Sequence, residues 1–151
     1  MSLENKVNEQ IKEAMKAKDE VGLRTLRAIK SEILKEKTAE GFSGEMTEAT
    51  ETKMLQKMAK QRRDSLTIFE QQNREDLATK EREELGVIEK FLPAQMSAED
   101  LKAAIKAIVA QVGASSPADM GKVMGVASKQ LAGQADGKLI SETVKAVLSG
   151  N

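Results

Sequence analysis

Apolar residues recur every three or four positions along most of this chain, the spacing of one buried helix face, and no stretch alternates over the length of a strand. Leu3, Val7, Ile11, Ala14 and Met15 define a first amphipathic helix that stops near Lys18-Asp19. Leu23, Leu26, Ile29, Ile33 and Leu34 define a second, flanked by Arg24, Arg27 and Lys35. Gly41-Phe42-Ser43-Gly44 breaks the period and predicts a loop. A third helix runs from about Thr47 to Gln72 on Met54, Leu55, Met58, Leu66 and Phe69. Asn73 tolerates the left-handed conformation of a helix stop, and a fourth helix follows on Leu77, Leu85, Ile88 and Leu92 before Pro93 ends it.

Three shorter helices come next. Ser97-Ala98-Glu99-Asp100 caps a fifth, whose stripe of Leu101, Ile105, Ile108, Val109 and Val112 is closed by Gly113. Ser116-Pro117 opens a sixth, with Asp119 at its third position, where a carboxylate suits the helix dipole, and Gly133 at its end. A turn at Ala135-Asp136-Gly137-Lys138 leads into a seventh on Ile140, Val144, Val147 and Leu148. The expected fold is all-α, with about four helices over residues 1–93 and a compact three-helix domain over 94–151. Composition shifts at the same boundary: residues 94–151 hold no arginine and eleven charged side chains, but six of the ten glycines. A bundle this small buries only about 60% of the surface its unfolded chain exposes.

Two polar features interrupt the pattern. Arg62 projects from the apolar side of the third helix, and Glu81 and Glu84 intrude on that of the fourth. A hairpin turning near Asn73 sets Arg62 opposite the Glu81–Glu84 turn, where it forms an interhelical ion pair or else snorkels to water from the edge of the core. The second feature is Asp119-Met120-Gly121-Lys122-Val123-Met124-Gly125. Its glycines each cost roughly 0.8–1 kcal/mol relative to alanine inside a helix, and with Ser128 and Ala132 they line one small-residue stripe beside an apolar one. That stripe admits either a closely packed neighbouring helix or, with Lys122 and Lys129 on the adjoining face, a nucleic-acid backbone.

Charge and inventory narrow the chemistry. With 24 basic and 24 acidic side chains no global field holds the protein to a polyanion, so such binding needs a local patch. Cysteine, histidine, tryptophan and tyrosine are absent and only three phenylalanines occur. Disulfides, thiolate metal sites, histidine bases and most base-stacking platforms are therefore excluded. No metal site and no cofactor is expected. Gly121-Lys122 lacks the spacing of a phosphate loop and the Ser or Thr after its lysine. Ser141 and Lys145 stand one helical turn apart, a spacing common on solvated faces. The first residues have neither an apolar nor an arginine-rich leader character and no membrane-length apolar run occurs, which predicts a cytoplasmic protein with no membrane partner.

Read together and in order, Leu23-Arg24-Thr25-Leu26-Arg27, Gln61-Arg62-Arg63-Asp64-Ser65, Arg74-Glu75-Asp76-Leu77-Ala78 with Glu81, Phe91-Leu92-Pro93-Ala94-Gln95, Asp119 through Gly125, and Ala135-Asp136-Gly137-Lys138 resemble the YqeY-like proteins. That family shares a domain with the C-terminal tail of the GatB subunit of glutamyl/aspartyl-tRNA amidotransferase, and the resemblance spans essentially the whole chain. It implies an all-helical fold with a compact three-helix end, and tRNA or structured RNA as partner. In the amidotransferase the tail holds the tRNA body while amide transfer belongs elsewhere, so a label of carbon–nitrogen ligase with glutamine as amide donor is inherited from the larger enzyme. Where family members often carry glycine before Arg74, this chain has Asn73. The expected RNA contacts are Gly121, Lys122, Gly125, Lys129 and Lys138. The alternatives are a protein-interaction module docking a partner helix on the small stripe and an amidotransferase accessory factor that carries the ligase label by inheritance.

Overall fold

The computed structural model describes residues 2–39, 41–42 and 44–150. Among them there are seven α-helices and no strand, an all-α fold. The helices are α1 (Leu3–Ala17), α2 (Glu20–Lys37), α3 (Glu48–Gln71), α4 (Glu75–Glu89), α5 (Ala98–Val112), α6 (Met120–Gln130) and α7 (Gly137–Leu148). Their ends follow from local chemistry. The Ser2, Asp19, Thr47 and Ser97 side chains accept from the backbone N–H three residues on, at the starts of α1, α2, α3 and α5. Lys18 at φ 57° and Asn73 at φ 56° take the left-handed conformation, Lys18 capping α1 and Asn73 turning the chain between α3 and α4. Gly113, at φ 70°, does so after α5. Ser43, in the loop expected between α2 and α3, lies outside the described residues.

The chain divides into two compact units, Met1–Leu92 and Pro93–Asn151. In the first, α1 pairs with α2 and α3 with α4, and α2 packs on α4. Leu26, Ile29, Ile33, Leu55, Met58 and Ile88 lie at the centre of its core. Arg82 ties the α3–α4 turn by donating to Glu75 at 3.0 Å and to Glu70 at 3.3 Å, and Arg74 forks onto Asp76 with two bonds of 3.1 Å. Leu66 and Phe69, on the expected apolar face of α3, are only partly buried, whereas Ala78, outside the expected stripe of α4, is fully buried.

In the second unit α5, α6 and α7 close around Leu101, Ile105, Ile108, Val123, Ile140 and Val144. Three details depart from the expectation. Pro117–Asp119 forms a 3-10 turn and α6 begins only at Met120, because Asp119 N–H bonds to the Ser116 carbonyl at 3.0 Å in an i to i+3 pattern that tightens the chain. The other end of α6 is assigned at Gln130, short of Gly133. The expected turn at 135–138 divides at Asp136, whose side chain caps α7, so that Gly137 and Lys138 are helical.

Candidate nucleic-acid interface

Val123 and Ala127 turn one side of α6 into the core, and Leu131 buries against the same cluster. The opposite side is solvent. Gly121, Lys122, Gly125, Ser128 and Lys129 are all exposed, and so is Ala132 just past the helix end. Beyond its chain neighbours and the backbone of its own helix, a Cβ built on Gly121 or on Gly125 meets no atom within 4 Å. No neighbouring helix of the described structure packs on this stripe, which leaves open backbone flanked by two lysine stems.

The charges around it are not all bare. The Asp119 carboxylate folds back to accept from Ser115 N–H at 3.0 Å and Ser116 N–H at 3.3 Å. Those two bonds hold it below the usual carboxylate range, and Lys122, one turn on, pulls the same way. Lys122 thus stands beside a permanent counter-charge at neutral pH. Lys138 lies on α7, where its Nζ is 4.0 Å from Glu142 across one exposed helical turn. Lys129 has no such neighbour among the described residues and lies in the last turn of α6, where the helix dipole favours a cation. The five expected contacts therefore divide: Gly121, Lys122, Gly125 and Lys129 share the solvent side of α6, and Lys138 opens a different helix.

A residue with no assigned role in the sequence braces this end of the unit. Gln95 donates from Nε2 to the Pro93 carbonyl at 2.8 Å and to the Gly133 carbonyl at 2.7 Å, and Met96 N–H bonds to the Gln134 carbonyl at 3.0 Å. These bonds fasten the loop after α6, where Gly133 adopts φ 79°. Phe91-Leu92-Pro93-Ala94-Gln95 was visible as a motif, but the partner is 38 residues away, and a lone glutamine carries no signal of a distant carbonyl.

In the first unit, Arg62 Nη2 stands 3.9 Å from Glu84 Oε1, its side chain 18% exposed and that of Glu84 16%. This is a charge contact between α3 and α4 at the register that a turn centred on Asn73 implies, and it is longer than a hydrogen bond. Arg24 of α2 joins it, with Nε 4.0 Å from the same Glu84 oxygen. Glu81 is drawn in electrostatically: burial raises its carboxyl above the ordinary value, Glu84 adds to the rise, and Arg62 opposes it. Among the described residues no cluster of carboxylates stands in a metal-holding arrangement, and no helix is long and apolar enough to cross a membrane.

Comparison with known proteins places these features. The chain's relatives include proteins that carry the name altered inheritance of mitochondria protein 41, mitochondrial. The protein of Clavispora lusitaniae is 41% identical over 90 residues, covering 60% of this chain and 51% of the relative. That of Candida glabrata is 31% identical over 138 residues, covering 90% of this chain and 72% of the relative. That of Kluyveromyces lactis is 29% identical over 142 residues, covering 93% and 72%. The chain spans only about half the length of the first of these. Their names overturn the expected cytoplasmic location, since these relatives are mitochondrial. The inference from the first residues failed for a physical reason. That stretch is the start of α1, with Leu3 and Val7 buried, so its composition reports the demands of a core and is no guide to location. The family model for Yqey-like protein matches residues 4–148, through all seven helices, and the chain belongs to the YqeY-like family.

Proposed function

We propose that this YqeY-like chain is a non-catalytic helical module that binds tRNA or another structured RNA on the solvent side of α6. One observation carries the reading. Two helix-weakening glycines sit where no atom of the described structure needs their smallness, with Lys122 and Lys129 beside them. A bare backbone flanked by cations lets a phosphate come close while each lysine releases a counterion, and contact of this kind follows RNA shape more than base sequence. Gly121 and Gly125 allow the approach, Lys122 and Lys129 supply the charge, and Lys138 adds to it from the start of α7. Structured RNA of this class occurs wherever translation does, mitochondria included.

The test is a titration of bulk tRNA against wild type and a Lys122→Ala, Lys129→Ala double variant at two salt concentrations. The double variant is expected to bind at least several-fold more weakly at low salt, with a salt slope shallower by about 2. Equal affinities, or no binding by wild type even at low salt, reject the proposal. Recovery of one defined protein after nuclease treatment, dependent on Gly121 and Gly125, favours the interaction-module reading in its place.

A further inference from the structure

The sequence motifs outside the α6 reading include the one around Arg24 and the one around Arg62. Elsewhere in the same unit, Arg63 Nη2 stands 3.8 Å from a single Glu89 oxygen, whereas Arg74 and Arg82 make short directed hydrogen bonds, Arg74 to both oxygens of Asp76 at 3.1 Å and Arg82 to Glu75 at 3.0 Å. Arg24 and Arg62 do not. They approach one oxygen of Glu84 from two helices and stop at 4.0 Å and 3.9 Å, more than 1 Å beyond the roughly 2.8 Å of a charge-assisted bond. Arg62 makes one long contact, 3.5 Å from Nη1 to Oε1 of its neighbour Gln61. Each guanidinium offers five N–H donors in a fixed fork. Here two guanidinium groups, one from α2 and one from α3, come near the same carboxylate oxygen, and neither bonds to it.

We infer that Arg24 and Arg62 form a binding site for a phosphate group, with Glu84 as its internal substitute. A phosphate presents several anionic oxygens spread over a tetrahedron, so it reaches both forks where a single carboxylate oxygen reaches neither, and planar guanidinium recognises it by paired bonds. The Arg24 side chain is 42% exposed and opens the site to solvent, and that of Arg62, 18% exposed, forms its floor. Glu84 must swing away for the ligand to enter, and Glu81 remains as a second negative charge nearby. The ligand therefore competes with a tethered carboxylate, and its affinity is the difference between the two interactions. This site uses residues distinct from those of α6 and stands or falls separately.

The probe is inorganic pyrophosphate, followed through the arginine Nε–Hε NMR signals of the full chain. In wild type the signals of Arg24 and Arg62 are expected to shift, while those of Arg74 and Arg82, already bonded to carboxylates, stay in place. Glu84→Gln removes the competitor and is expected to bind pyrophosphate at least fivefold more tightly. Arg24→Lys keeps the charge, loses the fork and is expected to bind at least threefold more weakly. Its exposed position leaves folding intact, so it decides the matter should Glu84→Gln prove unstable. Shifts spread equally over all arginines, an unchanged or weakened affinity in folded Glu84→Gln, or an unchanged affinity in Arg24→Lys overturns the site. The same variants titrated with tRNA identify the source of the phosphate. Tightening of tRNA as well as pyrophosphate by Glu84→Gln assigns the site to the RNA backbone, tightening of pyrophosphate alone assigns it to a small phosphate compound, and tightening of neither overturns it.

Discussion

Glu81 and Asp119 feel opposite forces, and the difference is readable in stability against pH. Burial, then Glu84, raise the folded pKa of Glu81 above its unfolded value, with Arg62 working against them. The folded protein holds that proton more tightly than the unfolded chain does. Its contribution is fully present below the unfolded value of about 4.3, is lost as pH rises through the folded value, and leaves a small penalty at neutrality. Glu81→Gln is accordingly expected to raise the Tm at pH 7 by something on the order of 1–2 °C and to give no gain at pH 3.5–4. Asp119 runs the other way. Its bonds from Ser115 and Ser116 N–H depress the folded pKa, so its contribution is present above the unfolded value and fades as pH falls through the folded one. Asp119→Asn should lower the Tm of the second unit at pH 7 and flatten its acid limb. Thermal melts of both variants between pH 3 and 7 check the two signs together, and parallel curves for variant and wild type would refute either assignment.

Among the helices, α6 and α2 show how the same residue type answers to two different demands. Gly22 sits in the first turn of α2, where a Cβ would stand 2.3 Å from Oδ2 of Asp19, the side chain that caps the helix by accepting from Gly22 N–H at 2.9 Å. A larger residue there displaces the cap, a loss of about 1 kcal/mol. Gly125 has nothing within 4 Å, so the fold gains nothing from its smallness. Gly125→Ala is therefore expected to stabilise the second unit by about 0.5–1 kcal/mol, measured by urea denaturation. Gly121, in the first turn of α6, gains less. If the open backbone serves the contact proposed above, the more stable Gly125→Ala protein binds tRNA several-fold more weakly, because its methyl holds a phosphate away from the helix. A destabilised Gly125→Ala would mean that the stripe is needed by the fold itself.

For the molecule as a whole, what could be read in advance divides by the range of the interactions involved. Helix number and most helix ends follow from neighbours three or four residues apart, which is why Ser97, Asn73 and Gly113 were legible as punctuation. That Arg62 faces the Glu81–Glu84 turn was legible as well, because a hairpin needs only its turn to be placed, but the 3.9 Å that separates it from Glu84 was not. The arrival of Arg24 at Glu84, the burial of Ala78 and the clasp of Gln95 on Gly133 depend on which helices and loops meet, and no local pattern carries that. Nor does a small-residue stripe declare whether its neighbour is a helix or solvent. The division into units does have a physical consequence, since each owns a core made only of its own residues. At a typical 0.05–0.15 kcal/mol per residue, a unit spanning Pro93–Asn151 has a stability of roughly 3–9 kcal/mol. Ile105 is fully buried in it, and Ile105→Ala costs about 2–5 kcal/mol in lost transfer energy and an unfilled cavity. That loss consumes much of the second unit's stability and none of the first's. Under mild urea the variant should lose the dispersed amide signals of Ile108, Val123 and Val144 while those of Ile29 and Ile88 persist. Simultaneous loss of both sets would mean that the two cores fold as a single cooperative system.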